Sequence, residues 1–233
     1  MRLILLGPPG AGKGVIAKLL SEKLSLPHIS TGDILRRAIN EETPLGRDAK
    51  ACVESGGLLS NEIMISLIKE RLSATDCERG FILDGFPRTL NQAKALSNME
   101  AASGVAPGIA INLDAPREVL ISRLSGRRVC PSCQALYHVE NMPPRKEGIC
   151  DGCGSQIVIR EDDQESVVKE RLLRYEEEVK SLFEFYKERN LLKEVNSNME
   201  PEKVLKNILK VIDDSYQVQT GDRLNQSGKL YCC

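Results

Sequence analysis

The chain has no tryptophan, and aromatic residues make up only 4% of its 233 positions. Proteins that stack single-stranded bases on aromatic platforms need more, so that class of nucleic-acid binder is disfavoured. An excess of charge is missing too, since 32 Lys and Arg stand against 33 Asp and Glu. A polyanion-binding surface is therefore not expected, although a local cluster of Arg inside a cleft is compatible with a balanced total. Long apolar runs are also absent. The first, Leu3 to Leu6, stops at Gly7, Pro8 and Pro9, too short for a signal segment or a membrane span. The protein is expected in the cytosol, with neither membrane nor nucleic acid as partner. Histidine is scarce: His28 and His138 are the only two, and neither pairs with a nearby Ser or Cys motif as nucleophilic catalysis requires. Both are expected to be packing or surface residues.

Cysteine, by contrast, is plentiful at eight. In a chain without an export signal, disulfides are not the natural reading. Four of the cysteines form two C-x-x-C pairs, Cys130/Cys133 and Cys150/Cys153, with sixteen residues between them. Two tight pairs on Gly- and Pro-rich turns let four thiolates converge on a tetrahedral metal such as zinc, and four protein ligands leave no open position, so such a metal is structural. Two disulfides or an iron site remain alternatives at this point. Cys52 and Cys77 are isolated and are expected to be buried free thiols. The terminal Cys232–Cys233 pair lacks the polybasic run that accompanies prenylation.

Hydrophobic periodicity predicts strands alternating with helices. Arg2 to Leu6 reads as a buried strand, and Lys13 to Leu24 as a helix with Val15, Ile16, Leu19, Leu20 and Leu24 on one face. Helices are expected over Thr31 to Ile39, capped by Ser30 or Thr31, and over Leu45 to Ser55. Gly56–Gly57 breaks the chain before a helix from Asn61 to Leu72. Phe81–Asp84 and Ile109–Leu113 read as strands, with a helix from Pro116 to Leu124 after the second. Residues 126–163 change character, with paired cysteines, prolines and little periodicity, and read as an inserted module. A long amphipathic helix follows through Val168, Leu172, Tyr175, Val179, Leu182 and Tyr186. A strand at Leu191 to Val195 and a helix at Val204 to Ile212 close the pattern, and the polar stretch from Asp214 to Cys233 reads as a frayed tail. The fold class is thus α/β, a parallel sheet covered by helices on both faces.

Between the first strand and first helix stands Gly7-Pro-Pro-Gly-Ala-Gly-Lys13, which matches G-x-x-x-x-G-K in the setting of a phosphate loop. Glycines let backbone N–H groups converge on phosphate oxygens. The helix N-terminus adds partial positive charge, and Lys13 a full one. The motif expects Ser or Thr after its Lys, to hold magnesium, yet Gly14 and Val15 follow. Magnesium is then expected to be held mainly through water and a second acid, for which Asp84 at the end of a strand is the candidate.

Five segments now form a recognisable whole: Gly7–Gly14; Ser30-Thr-Gly-Asp33 with Arg36; Asp84-Gly-Phe-Pro-Arg88 with Gln92; Gly126-Arg-Arg-Val129; and Arg160-Glu-Asp-Asp163 with Arg171. Together, from Met1 to Ile212, they closely resemble the adenylate kinases, in particular the bacterial long-lid form with a zinc site. The resemblance implies a P-loop nucleoside monophosphate kinase fold. Its core would comprise residues 1–29, 60–125 and 164–213, with an AMP-binding arm at 30–59 and a zinc-binding lid at 126–163. It implies reversible phosphoryl transfer between MgATP and AMP by a monomer. Gly10, Ala11, Gly12, Lys13, Gly14 and Val15 would wrap the ATP phosphates. Arg123 and Arg127 would serve that side, with Leu136, Tyr137 and the backbone of Met199 lining it. AMP would meet Thr31, Arg36, Gly57, Leu58, Leu59 and the run Gly85, Phe86, Pro87, Arg88, with Gln92 reading the adenine edge. Arg160 and Arg171 would reach across to the phosphates. Lys13, Asp84, Arg88, Arg123, Arg160 and Arg171 would form the catalytic set.

The Arg set also makes physical sense apart from the resemblance. Two reacting nucleotides carry about six negative charges, which repel until neutralised, and guanidinium groups clamp phosphates bidentately. An AMP phosphate oxygen is already anionic, so no general base is needed. Two other readings fit less well. A kinase for UMP or CMP of the short-lid type would lack the four cysteines. A zinc-ribbon nucleic-acid-binding ATPase would need a basic surface, whereas Glu140, Glu147 and Asp151 sit within the cysteine module.

Overall fold

The computed structural model describes residues 1–54, 57, 59–106 and 108–227. Five parallel strands form its central sheet: β1 (Arg2–Leu6), β2 (His28–Ser30), β3 (Phe81–Asp84), β4 (Ile109–Asp114) and β7 (Leu192–Asn196), in the order β2-β3-β1-β4-β7. A small antiparallel pair, β5 (Arg127–Val129) and β6 (Leu136–His138), stands apart. The helices are α1 (Lys13–Leu24), α2 (Thr31–Asn40), α3 (Pro44–Glu54), α4 (Asn61–Leu72), α5 (Leu90–Ala102), α6 (Arg117–Ser125), α7 (Glu165–Lys187) and α8 (Pro201–Ser227).

The three central strands β1, β3 and β4 are almost wholly apolar because both faces of the sheet are covered there. On one face Leu3, Leu5, Ile111 and Leu113 pack with α1 and α8 through Ile16, Leu20 and Ile208. On the other, Ile4, Leu6 and Leu83 meet Phe86, Leu96 and Leu182. β1 pairs with β3 on one side and β4 on the other, so the chain reverses its winding direction there. In open parallel sheets the crevice beyond the carboxyl ends at such a reversal is where ligands bind. The glycine loop after β1, Ser30 at the end of β2 and Asp84 at the end of β3 all open onto that edge.

Most of the expected elements occur within a residue or two of their expected ends. Four did not register as patterns: β2, β5 and β6 are only three residues long each, and α5 is alanine-rich with a weak apolar face, started by Thr89, whose hydroxyl accepts from Gln92 N–H. The largest difference lies at the C-terminus. Where a frayed polar stretch was expected from Asp214, α8 continues to Ser227. No proline interrupts that stretch, and extending an existing helix is far cheaper than nucleating one. Gly56, Leu58 and the terminal cysteines lie outside the described residues. Cys77 is buried, while Cys52 is only partly so. Among the described residues, no helix is long and apolar enough to cross a membrane.

Candidate functional site

The glycine loop takes the shape that the motif requires. Gly7 and Gly10 have φ of 139° and 85°, and a Cβ on either would lie 2.5 or 2.7 Å from the carbonyl oxygen of Leu113 or Leu120. A side chain would fit neither the dihedral nor the space. Lys13 folds back under the loop, its Nζ donating to Gly7 O at 2.7 Å and Pro8 O at 3.0 Å. Burial pulls its pKa down to about 8; nearby Asp84 opposes that shift, while Arg88, Arg171 and Arg127 add to it. Asp84 faces the start of α1, its Oδ2 3.5 Å from where a Cβ on Gly14 would sit. That carboxylate is therefore available to a phosphate-bound cation, the role that the missing hydroxyl at Val15 leaves open.

The loop forms one wall of a cleft of about 1040 Å3. Gly10 to Val15, Asp84, Pro87, Met199, Leu136 and Tyr137 all border it, as do Arg36, Arg88, Arg123, Arg127, Arg160 and Arg171. Six guanidinium groups from five separate stretches of chain are thus drawn to one space. A smaller recess of about 70 Å3 adjoins it, bordered by Thr31, Arg36, Gly57, Leu59, Gly85, Arg88, Gln92 and Arg171. Of the residues expected on AMP, Pro87 and Arg160 border only the larger cleft, and the two spaces share Arg36, Arg88 and Arg171. Phe86 differs from its expected role, because its side chain is fully buried in the core and only its backbone could meet a ligand. Leu58 lies outside the described residues.

How the guanidinium groups are held could not be read from motifs. Arg127 is clamped by both oxygens of Asp163, with Nε at 2.6 Å. Arg171 reaches the same carboxylate at 3.1 Å, Asp162 Oδ2 at 3.0 Å and the Asp162 carbonyl at 2.7 Å. Arg36 pairs with Asp33 at 2.5 Å, and Arg123 donates to Ser197 O at 2.9 Å. Arg36 and Arg160 each keep a buried Nε–H with no partner. Burial, reinforced by Arg36 and Arg127, lowers the Arg160 pKa to about 10. Buried donors without acceptors cost free energy unless a ligand accepts from them, and an anion does so best. Gln92 is likewise placed by its neighbours: Oε1 accepts from Arg88 N–H at 2.8 Å and Nε2 donates to Asn61 Oδ1 at 3.0 Å.

The sequence reading missed several contributors. His28, expected outside the site, has its Nε2 3.4 Å from Asp84 Oδ2. Asp162 and Asp163 stood in a recognised motif, but nothing in the motif told which Arg each would hold. Arg174 also borders the cleft, and Asn61 holds Gln92, without any motif to announce either.

The four cysteines converge as their spacing implies. Sγ atoms of Cys130, Cys133, Cys150 and Cys153 all lie within 4.8 Å of one another, with Cys130–Cys153 at 3.4 Å and Cys133–Cys150 at 3.5 Å. A tetrahedral zinc with bonds of about 2.3 Å separates its sulfurs by roughly 3.8 Å, so the set fits such an ion. Each pair sits on a turn of the same form. Gln134 N–H donates to Cys130 O and Gly154 N–H to Cys150 O, both at 2.9 Å, and Gln134 and Gly154 both take positive φ. Two like knuckles present their thiols to one point, an arrangement that could hold a metal ion.

A family model described as adenylate kinase matches residues 5–191. The chain belongs to the adenylate kinase family. Adenylate kinase of Clostridium beijerinckii is 47% identical over 215 residues, which is 92% of this chain and all of that protein. The adenylate kinase of Clostridium tetani is 46% identical over 212 residues, 91% of this chain and 98% of its own length. One from Clostridium botulinum strain 657 is 47% identical over the same extent. Membership in this family makes the chain a nucleoside monophosphate kinase, a nucleotide-binding phosphotransferase.

Proposed function

We infer that the chain catalyses the reversible transfer of the γ-phosphoryl group of MgATP to AMP, giving two ADP. The observation that carries this reading is the pair of adjoining spaces that share Arg36, Arg88 and Arg171. A group passed between two bound phosphates needs such shared cations at the junction. ATP would lie along Gly10 to Val15 with Lys13, Arg123 and Arg127, its adenine near Met199. AMP would lie in the recess, with Thr31, Arg88 and Gln92. An AMP phosphate oxygen attacks the γ-phosphorus in line, and the bond from that phosphorus to the departing ADP oxygen breaks. The attacking oxygen carries no proton that must leave, so positioning and charge stabilisation do the work. Magnesium, when bound with ATP, would spread the negative charge of the phosphates, and Asp84 is the residue suited to hold it through water. Lys13 must release the Gly7 and Pro8 carbonyls to reach the phosphates.

Residues 126–163 form the lid in this reading, residues 30–59 the AMP arm, and the remainder to 213 the core. Closure excludes water that would otherwise hydrolyse ATP. The metal at the four cysteines is zinc in a structural role, and the enzyme acts as a cytoplasmic monomer. Purified protein is to be supplied with MgATP and AMP, UMP or CMP and followed by coupled ADP detection. Rapid ADP formation with AMP is expected. Turnover with UMP or CMP but not AMP would overturn the acceptor assignment, and nucleic-acid-stimulated ATP hydrolysis in its place would overturn the kinase reading.

A further inference from the structure

Tyr137 joins the cysteine site to the nucleotide cleft. Its strand, β6, has three residues and is paired to β5, which begins with the phosphate-facing Arg127. Leu136 and His138 border the cleft. Tyr137 borders it too, but strand alternation sends its ring to the opposite face, where it is 8% exposed and packs with Cys130, Cys150 and Ile157. There its hydroxyl donates to Cys150 Sγ at 3.3 Å and accepts from Asp151 N–H at 2.7 Å. Both hydrogen-bonding capacities of the hydroxyl are thus used on the second knuckle, one on a sulfur and one on the backbone beside it.

We propose that Tyr137 is a positioning residue that couples metal retention in the lid to nucleotide binding in the cleft. This rests on the reading of the four cysteines as a metal site. Outer partners of metal ligands fix ligand orientation and are commonly worth 10- to 100-fold in metal affinity. Here the outer partner belongs to the same three-residue strand that supplies cleft wall, so neither site can shift β6 without moving the other. Linkage is reciprocal in affinity: if metal holds β6 in its nucleotide-binding position, bound nucleotide must raise metal affinity by the same factor, and a gain carried by dissociation is read as slower metal loss.

The test measures zinc release from the zinc-loaded full chain into excess 4-(2-pyridylazo)resorcinol, with and without the magnesium complex of the β,γ-imido analogue of ATP. For the wild type, nucleotide is expected to slow release about fivefold or more. Tyr137→Phe keeps the ring and loses only the hydroxyl; it is expected to release zinc roughly 10- to 100-fold faster, with most of the nucleotide protection gone and the core melting transition unchanged. A purely structural ring would leave nucleotide protection intact in Tyr137→Phe. Release at the wild-type rate from Tyr137→Phe, or wild-type release indifferent to nucleotide, overturns the coupling. The second arm needs no variant to fold. A wild type that takes up no zinc removes the metal reading itself, and the coupling with it.

Discussion

The core and residues 126–163 face the same cleft but are held together by different means. The core buries two large clusters, one on each side of the sheet, including fully buried Leu3, Leu20, Ile82 and Ile111. The smaller module has one cluster of four buried residues, Cys130, Tyr137, Cys150 and Ile157, two of them cysteines of the metal set. Among the described residues, four of the six exposed large apolar side chains, Val139, Met142, Val158 and Ile159, also lie in it. A segment of this size cannot bury enough surface to offset its chain entropy, and a metal is a common remedy. In the reading proposed above, packing holds the floor of the cleft, whereas a metal at one point would hold its small cover.

Metal removal should break this contrast most strongly. Chelation, or Cys150→Ser, is expected to unfold residues 126–163 with a loss of several kcal/mol, on the order of 10 °C in the associated melting transition. Calorimetry should show the core transition surviving. A melting profile identical with and without metal would mean that the module has packing resources of its own. Next in size, Lys13→Met should lower kcat by about 10²- to 10³-fold while leaving both melting and metal content as they are. The same residue gives ATP affinity a pH dependence. Lys13 titrates at about 8 in the free chain, and bound phosphate holds the proton on, so affinity should fall up to about tenfold per pH unit above 8. Isothermal titration at pH 7 and pH 9 checks the sign.

A smaller effect is confined to the core. Glu100 is 7% exposed, accepts from Gly108 N–H at 3.0 Å, and has its pKa pushed up by burial to about 7. A raised folded-state pKa means that the folded chain holds this proton more tightly than the unfolded one. The associated stability is complete below the unfolded value of about 4.5 and is lost as pH rises through about 7. Glu100→Gln should therefore flatten core stability between pH 5 and pH 8, a change on the order of 2 kcal/mol, with zinc release untouched. Equal flattening in both transitions would show that the two regions are not separable. The smallest expected change is at the loop itself. Val15→Thr restores a hydroxyl beside the phosphates and should raise kcat/KM about fivefold, about 1 kcal/mol, with no effect on residues 126–163.

The order of strands and helices was legible because periodicity reports burial locally, and the central strands here are apolar on both faces. Short β2 and alanine-rich α5 escaped because neither carries enough apolar pattern to register. The continuation of α8 escaped because its sequence from Asp214 favours no structure by itself; growth from an existing helix decides it. At the site, residues in contiguous motifs were readable, including the loop from Gly10 to Val15 and the cysteine pairs. For Phe86 the motif did not say which way the side chain points, and the fold buries it.

By itself the sequence determined the chemistry available: a glycine loop suited to phosphate, two thiol pairs spaced to share a metal ion, and a set of Arg within motifs that hold no general base. These features are local, set by spacings of a few residues, so no fold is needed to recognise them. Only the tertiary structure decided how they are joined. Asp163 holds Arg127 across 36 residues of chain, His28 meets Asp84 from a neighbouring strand, and the Tyr137 hydroxyl reaches Cys150. Such pairings depend on how strands register and where helices cross, and no spacing along the chain encodes them.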